Sequence, residues 1–149
     1  YDTLHDLLVK LFNEIMNIEE KAIITEEFKD ISNNDMHIIE AVGLGGGNMS
    51  SIAAKLKITV GSLTTSMNSL VKKGYVKRER GEEDRRVVYI SLSDKGKKAF
   101  VHHARFHKEM ITSIMDEFDD DEKKILIRGL TKLDNWFKNK EEENKKNRE

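Results

Sequence analysis

The chain has 149 residues, 26 Lys and Arg against 27 Asp and Glu, and a net charge of −1, a size suited to one domain with its own core. It contains no cysteine, which excludes disulfides, thiol chemistry and cysteine-ligated zinc, and no proline to break a helix. No apolar run approaches the roughly 18 residues that span a membrane and no leader pattern is visible, so no membrane partner is expected and the expected compartment is the cytoplasm.

Leu4, Leu8, Leu11, Ile15, Ile18 and Ala22 recur at steps of three and four, which predicts a first helix over residues 4–23. Ser32 or Asn33 can cap a second, carrying Met36, Ile39 and Val42 and stopping at Gly43. The glycine-rich GLGGGN of residues 43–48 lacks the Gly-Lys-Ser/Thr ending of a nucleotide loop and follows a helix, so it reads as a flexible connector. Residues 49–56 form a short helix with Ile52, Ala53 and Leu56 inward. Thr59 sits at an N-cap position, and a longer helix runs from it to Gly74 with Ile58, Leu63, Met67 and Leu70 as its buried stripe. Short helix, tight turn and longer helix make the helix-turn-helix pattern, with Ala53 where the two helices approach.

Tyr75–Glu79 and Val87–Leu92 read as strands of a hairpin whose tip carries RGEED. A hairpin directly after a recognition helix is a wing. Its Arg78, Arg80, Arg85 and Arg86 can lie along a phosphate backbone or enter a minor groove, while Asp84 holds the tip in shape by accepting from Arg86 or from turn N–H groups. Ser93 caps a helix with Phe100, Ala104, His107, Ile111, Ile114 and Phe118 inward, and His102 toward solvent. DDDE at 119–122 starts a last helix, where carboxylates suit the positive end, with Leu126, Leu130, Leu133 and Phe137 inward. The tail EEENKKNRE reads as frayed or solvated helix. Charge follows the same division. Residues 49–98 hold twelve Lys and Arg against five Asp and Glu, while the rest holds 14 basic and 22 acidic residues. A basic middle between acidic ends is the footprint of an anion-binding segment on an indifferent scaffold.

IAAKLKIT, LVKKGYVKR and EDRRVVYISLSDKG, in the order helix, helix, helix-turn-helix, wing, two long helices, resemble the MarR family of bacterial transcription regulators. The most specific part is the wing, where Asp84 and Arg86 match the family's Asp-x-Arg ahead of the Leu92–Gly96 turn. The resemblance implies a mainly α fold with a small β-wing and a single domain over 1–149. Residues 1–31 and 97–149 would be dimerisation helices, and 32–96 a winged helix-turn-helix lobe. It implies a homodimer on double-stranded DNA. EFKDISNNDMHIIEAVG, ITVGSLTTSMNSLVKKGYV and RFHKEMI are similar to the branch that represses fatty-acid biosynthesis genes in low-GC Gram-positive bacteria. That likeness implies an acyl chain delivered on acyl carrier protein as effector. Stripe geometry would draw its pocket from Ile15, Met16, His37, Ile39, His103, Phe106, His107, Met110 and Ile114, although Met and aromatic residues at helical spacing usually fill a core.

The outward face of the recognition helix is Thr59, Val60, Gly61, Ser62, Thr64, Thr65 and Asn68, uncharged until Lys72. Arginine reading guanine is the commonest specific base contact, and this face has none, so an A/T-rich operator is expected. Lys55, Lys57, Lys72, Lys77, Arg78 and the wing arginines would supply affinity without sequence information. His103 and His107 share a helix face and His37 can approach them. The alternative is therefore a zinc-responsive regulator using His37, His103 and His107, with Glu19 and Glu20 as possible carboxylates, or a regulator of another small apolar or phenolic ligand. No cofactor fingerprint or nucleophile motif supports an enzyme.

Overall fold

The computed structural model describes residues 2–146. They form α1 (Asp2–Ile23), α2 (Asn33–Val42), β1 (Gly47–Asn48), α3 (Met49–Leu56), α4 (Val60–Lys72), β2 (Val76–Arg80), β3 (Val88–Leu92), α5 (Asp94–Asp116) and α6 (Asp120–Lys146). The chain divides into two units, residues 1–106 and 107–149. No helix of the described residues is long and apolar enough to cross a membrane.

The first unit holds the core. Met36, Ile39, Ile52, Leu63, Met67, Leu70 and Tyr75 are all fully buried. Helices start where the side chains can satisfy their first N–H groups. Ser32 Oγ accepts from Asp35 N at 3.1 Å while Asp35 Oδ2 accepts from Ser32 N at 3.1 Å, a closed capping box. Asn48 caps α3, Thr59 caps α4, and Ser93 Oγ accepts from Gly96 N at the start of α5. The turn between α3 and α4 passes through Lys57 at φ 55°, the one non-glycine residue in the left-handed region among those described.

The sheet is antiparallel in the order β1-β3-β2. The hairpin pairs Val76 with Leu92 at its base and Arg80 with Val88 near its tip. GLGGGN is therefore not a free connector. Gly47 pairs with Ile90 and Asn48 with Tyr89, and a Cβ on Gly46 (φ +66°) would stand 2.5 Å from the Ile90 carbonyl oxygen. The glycines let the chain close against β3.

Three other expectations need correction. Ile58 is 40% exposed, because the left-handed Lys57 turns the chain outward before α4 begins. The buried face of α5 is Gly96, Ala99 and His103, one register away from the large apolar residues; Ala104, Ile111 and Ile114 are exposed. Small residues win because α5 must press on the hairpin base, where a Cβ on Gly96 would run into the Tyr75 carbonyl oxygen. His102 does not face solvent freely, since its Nε2 lies 2.9 Å from the Ala22 carbonyl oxygen and its ring packs 5.6 Å from Phe28.

In the second unit, Asp119 and Glu122 make the capping box that starts α6. α6 buries none of its residues, and Leu130, Leu133 and Phe137, expected inward, are exposed in the single chain. Helix continues to Lys146, so most of the tail is ordered helix; its residues 147–149 lie outside the described part.

Candidate nucleic-acid interface

α4 sorts its residues by face. Leu63, Met67 and Leu70 point into the core, while Thr59, Val60, Gly61, Ser62, Thr65, Asn68 and Lys72 are exposed. Thr64 is half-buried, and its hydroxyl donates to the Val60 carbonyl oxygen at 2.8 Å, so only its oxygen and methyl remain for an outside partner. Thr59 Oγ1 accepts from Ser62 N at 3.1 Å, which leaves the N–H groups of Val60 and Gly61 at the open helix end.

Lys77, Arg78, Arg80, Arg85 and Arg86 are all exposed on the hairpin. Asp84 shapes its tip, with Oδ1 accepting from Arg86 N at 2.9 Å and its carbonyl oxygen accepting from Val87 N at 3.1 Å. Arg78 and Arg86 then line a cleft of about 400 Å³ with Asn48, Ser50, Val60, Thr64 and Val88. The cleft joins the starts of both helices of the helix-turn-helix to the wing, which contributes two arginines to its lining. Asn48 and Ser50 escaped the sequence reading. The signal was present, since an Asn three residues before Ser51 is a cap pattern, but it was absorbed into the glycine-rich loop.

Behind α4 a polar strap fixes its far end. Lys73 Nζ reaches Asp35 Oδ2 at 2.7 Å, and Lys95 Nζ donates to the Lys73 carbonyl oxygen at 3.2 Å. Tyr75 O–H donates to Asp30 Oδ1 at 2.6 Å, and Lys95 lies 4.1 Å over the Tyr75 ring. The Tyr75 hydroxyl bond, with Lys95 beside it, holds the Asp30 carboxyl below its ordinary range; burial and Asp30 push the Tyr75 hydroxyl up.

Of the residues expected around an effector, Ile39 and His103 belong to the core. Met16, Phe106, His107 and Met110 are half-buried, and Ile15, His37 and Ile114 are exposed. His103 Nε2 lies 3.3 Å from Glu19 and 3.2 Å from Glu40. Glu40 also meets His37 Nδ1 at 3.5 Å, so α1, α2 and α5 are linked through one polar cluster. His107 stands four residues further along α5.

Helix-turn-helix, capped recognition helix and cationic hairpin define a winged-helix protein. A family model described as "Transcriptional regulator SarA/Rot" matches residues 20–102. The chain is 30% identical over 135 residues to the uncharacterized HTH-type transcriptional regulator YpoP of Bacillus subtilis, covering 90% of this chain and 92% of that one. It is similar to the crystal structure of Streptococcus pneumoniae FabT in complex with DNA, at 37% identity and TM-score 0.88, covering 93% of this chain and 98% of that one. It shares its fold with Lactococcus lactis ZitR, a zinc-responsive MarR family member, at 24% identity and TM-score 0.64 over 90% of this chain and 99% of that one. The chain belongs to the MarR family of winged-helix transcription regulators. These relatives are regulators, not enzymes.

Proposed function

We propose that the protein is a homodimeric repressor of fatty-acid biosynthesis genes that binds an A/T-rich palindrome and responds to acyl-acyl carrier protein. The observation that carries the DNA-binding part is the uncharged, exposed face of α4 beside the cleft with Arg78 and Arg86. Thr, Val and Ser present methyls and hydroxyls that suit thymine methyls, and Asn68 suits a paired contact to adenine. Thr59, Gly61, Ser62, Thr65 and Lys72 complete that face. Lys77, Arg80 and Arg85 supply phosphate contacts. The likeness to the FabT–DNA complex supports the fatty-acid branch. Exposed Leu4, Phe12, Leu130, Trp136 and Phe137 on α1 and α6 support the dimer, because apolar helix faces of this kind need a cover. Fluorescence anisotropy of a labelled A/T-rich palindrome, titrated with and without palmitoylated carrier protein, tests the reading. Tighter binding only with the acylated carrier is expected; an unchanged affinity removes the effector, and no binding removes the operator.

A second reading has an observation of its own. His103 is buried with its Nε2 between Glu19 and Glu40, imidazole and carboxylate donors of the kind zinc takes, and ZitR is zinc-responsive. In the same titration, zinc would tighten DNA binding and a chelator would reverse it, with no response to the acylated carrier.

A further inference from the structure

A cation in an unfavourable place holds the C-terminal end of α4. Lys95 is the second residue of α5, where the positive end of the helix suits a carboxylate such as the neighbouring Asp94 and disfavours an ammonium group. Its side chain turns back over the preceding turn. Lys95 Nζ donates to the Lys73 carbonyl oxygen at 3.2 Å and to Asp30 Oδ2 at 3.3 Å, and it lies 4.1 Å over the Tyr75 ring. Lys73 is the C-cap of α4, so the ammonium reaches the negative end of that helix, where a cation is favoured. Beside it, Ser93 Oγ donates to the Gly74 carbonyl oxygen at 2.5 Å, and Lys73 Nζ meets the buried Asp35.

These contacts differ in kind from those along the helix. Leu63, Met67 and Leu70 hold α4 on the core by apolar burial, which is strong but non-directional. Hydrogen bonds to fixed acceptors are directional and weaken when the helix slides or rotates. From Gly61 to Lys73 the helix rises about 18 Å, so a tilt of about 5° at the far end moves the start of the helix by about 1.6 Å. A binding face needs its groups held to about 0.5 Å. We propose that Lys95 is a positioning residue for base reading: its ammonium sets the tilt and rotation of α4 from behind, with its donors committed to Asp30 and the Lys73 carbonyl and none to DNA. The inference rests on the assignment of base reading to α4 and deepens it by naming what aims that face.

The test uses the full-length protein and the duplex that wild type selects from a randomised pool, beside a duplex of scrambled sequence, each titrated at several salt concentrations. Lys95→Met is expected to weaken the selected duplex by about tenfold. The scrambled duplex should stay within about twofold of wild type and the salt slope should not change, because no phosphate contact is lost. Lys95→Arg keeps a charged donor and should discriminate like wild type. Urea midpoints verify that each variant is folded. Asp30→Asn loosens Lys95 without removing it; it should show the same selective loss to a smaller extent, and it decides the matter if Lys95→Met does not fold. Equal loss on both duplexes, with the salt slope reduced by about 1, makes Lys95 a phosphate contact and overturns the proposal. A lower urea midpoint with wild-type discrimination overturns it in favour of support of the fold alone. Selective loss on a selected duplex that is not A/T-rich upholds the role of Lys95 and removes the operator reading, whereas a wild type that selects no duplex ends both.

Discussion

Tyr75 carries more of the fold than its single hydroxyl suggests. It is fully buried, donates to Asp30, and packs under Lys95 and beside Phe28. Tyr75→Phe is expected to cost about 1 kcal/mol in urea unfolding at neutral pH, a value kept small because Asp30 is partly solvated. The sign of its pH dependence follows from Asp30, whose folded pKa is lowered. Its contribution is complete above the unfolded value near pH 4 and disappears as pH falls through the folded one, so wild type and variant should converge in acid. A gap that persists unchanged at pH 2 would refute this account. Gly96→Ala tests packing at the same place. The added methyl meets backbone that cannot yield, and a loss of about 3 kcal/mol or more is expected by thermal unfolding, whereas Gly129→Ala on exposed α6 should be stabilising or neutral.

At the scale of the elements, the proposed function assigns base reading to α4 and phosphate binding to the wing. Arg86→Ala on the wing should reduce the slope of log affinity against log salt by about 1 and weaken all sequences alike. Asn68→Ala on α4 should leave the slope alone and lose about 1–3 kcal/mol of discrimination at one base pair. Identical effects of the two would mean the wing and helix roles are misassigned. The elements with local signals were legible in the sequence. Ser32, Thr59 and Ser93 mark helix starts through hydrogen bonds to backbone three residues away, and a one-dimensional pattern holds that information. The wing followed from charge and β-branching. Other features depend on partners distant in sequence. Gly47–Asn48 became a strand because β3 waits 43 residues downstream of Gly47, which no local pattern at the loop reveals. The buried face of α5 was misread because large residues dominate a hydrophobic stripe while tight contact selects small ones, Gly96 and Ala99. Arg78 and Arg86 were named singly as cations; their meeting with Asn48 and Ser50 in one cleft required the sheet register.

At the scale of the whole molecule, the proposed homodimer rests on the uncovered apolar residues of α1 and α6. Phe12 is 65% and Phe137 62% exposed in the single chain, and covering them by a second copy should make the melting temperature rise with protein concentration. Phe12→Asp is expected to shift sedimentation toward monomer and abolish that dependence; a variant that still sediments as a dimer would place the interface elsewhere. The pairing of β1 with β3 has a final consequence. It splices the segment leading into α3 to the returning strand of the wing, so the hairpin cannot swing without breaking main-chain bonds near the cap of α3. Each reading head is thus a rigid gauge. In the proposed dimer, an effector that leaves these bonds intact would act by altering the spacing of two such gauges, and amide exchange at Gly47 and Ile90 should stay equally slow whether repression is on or off.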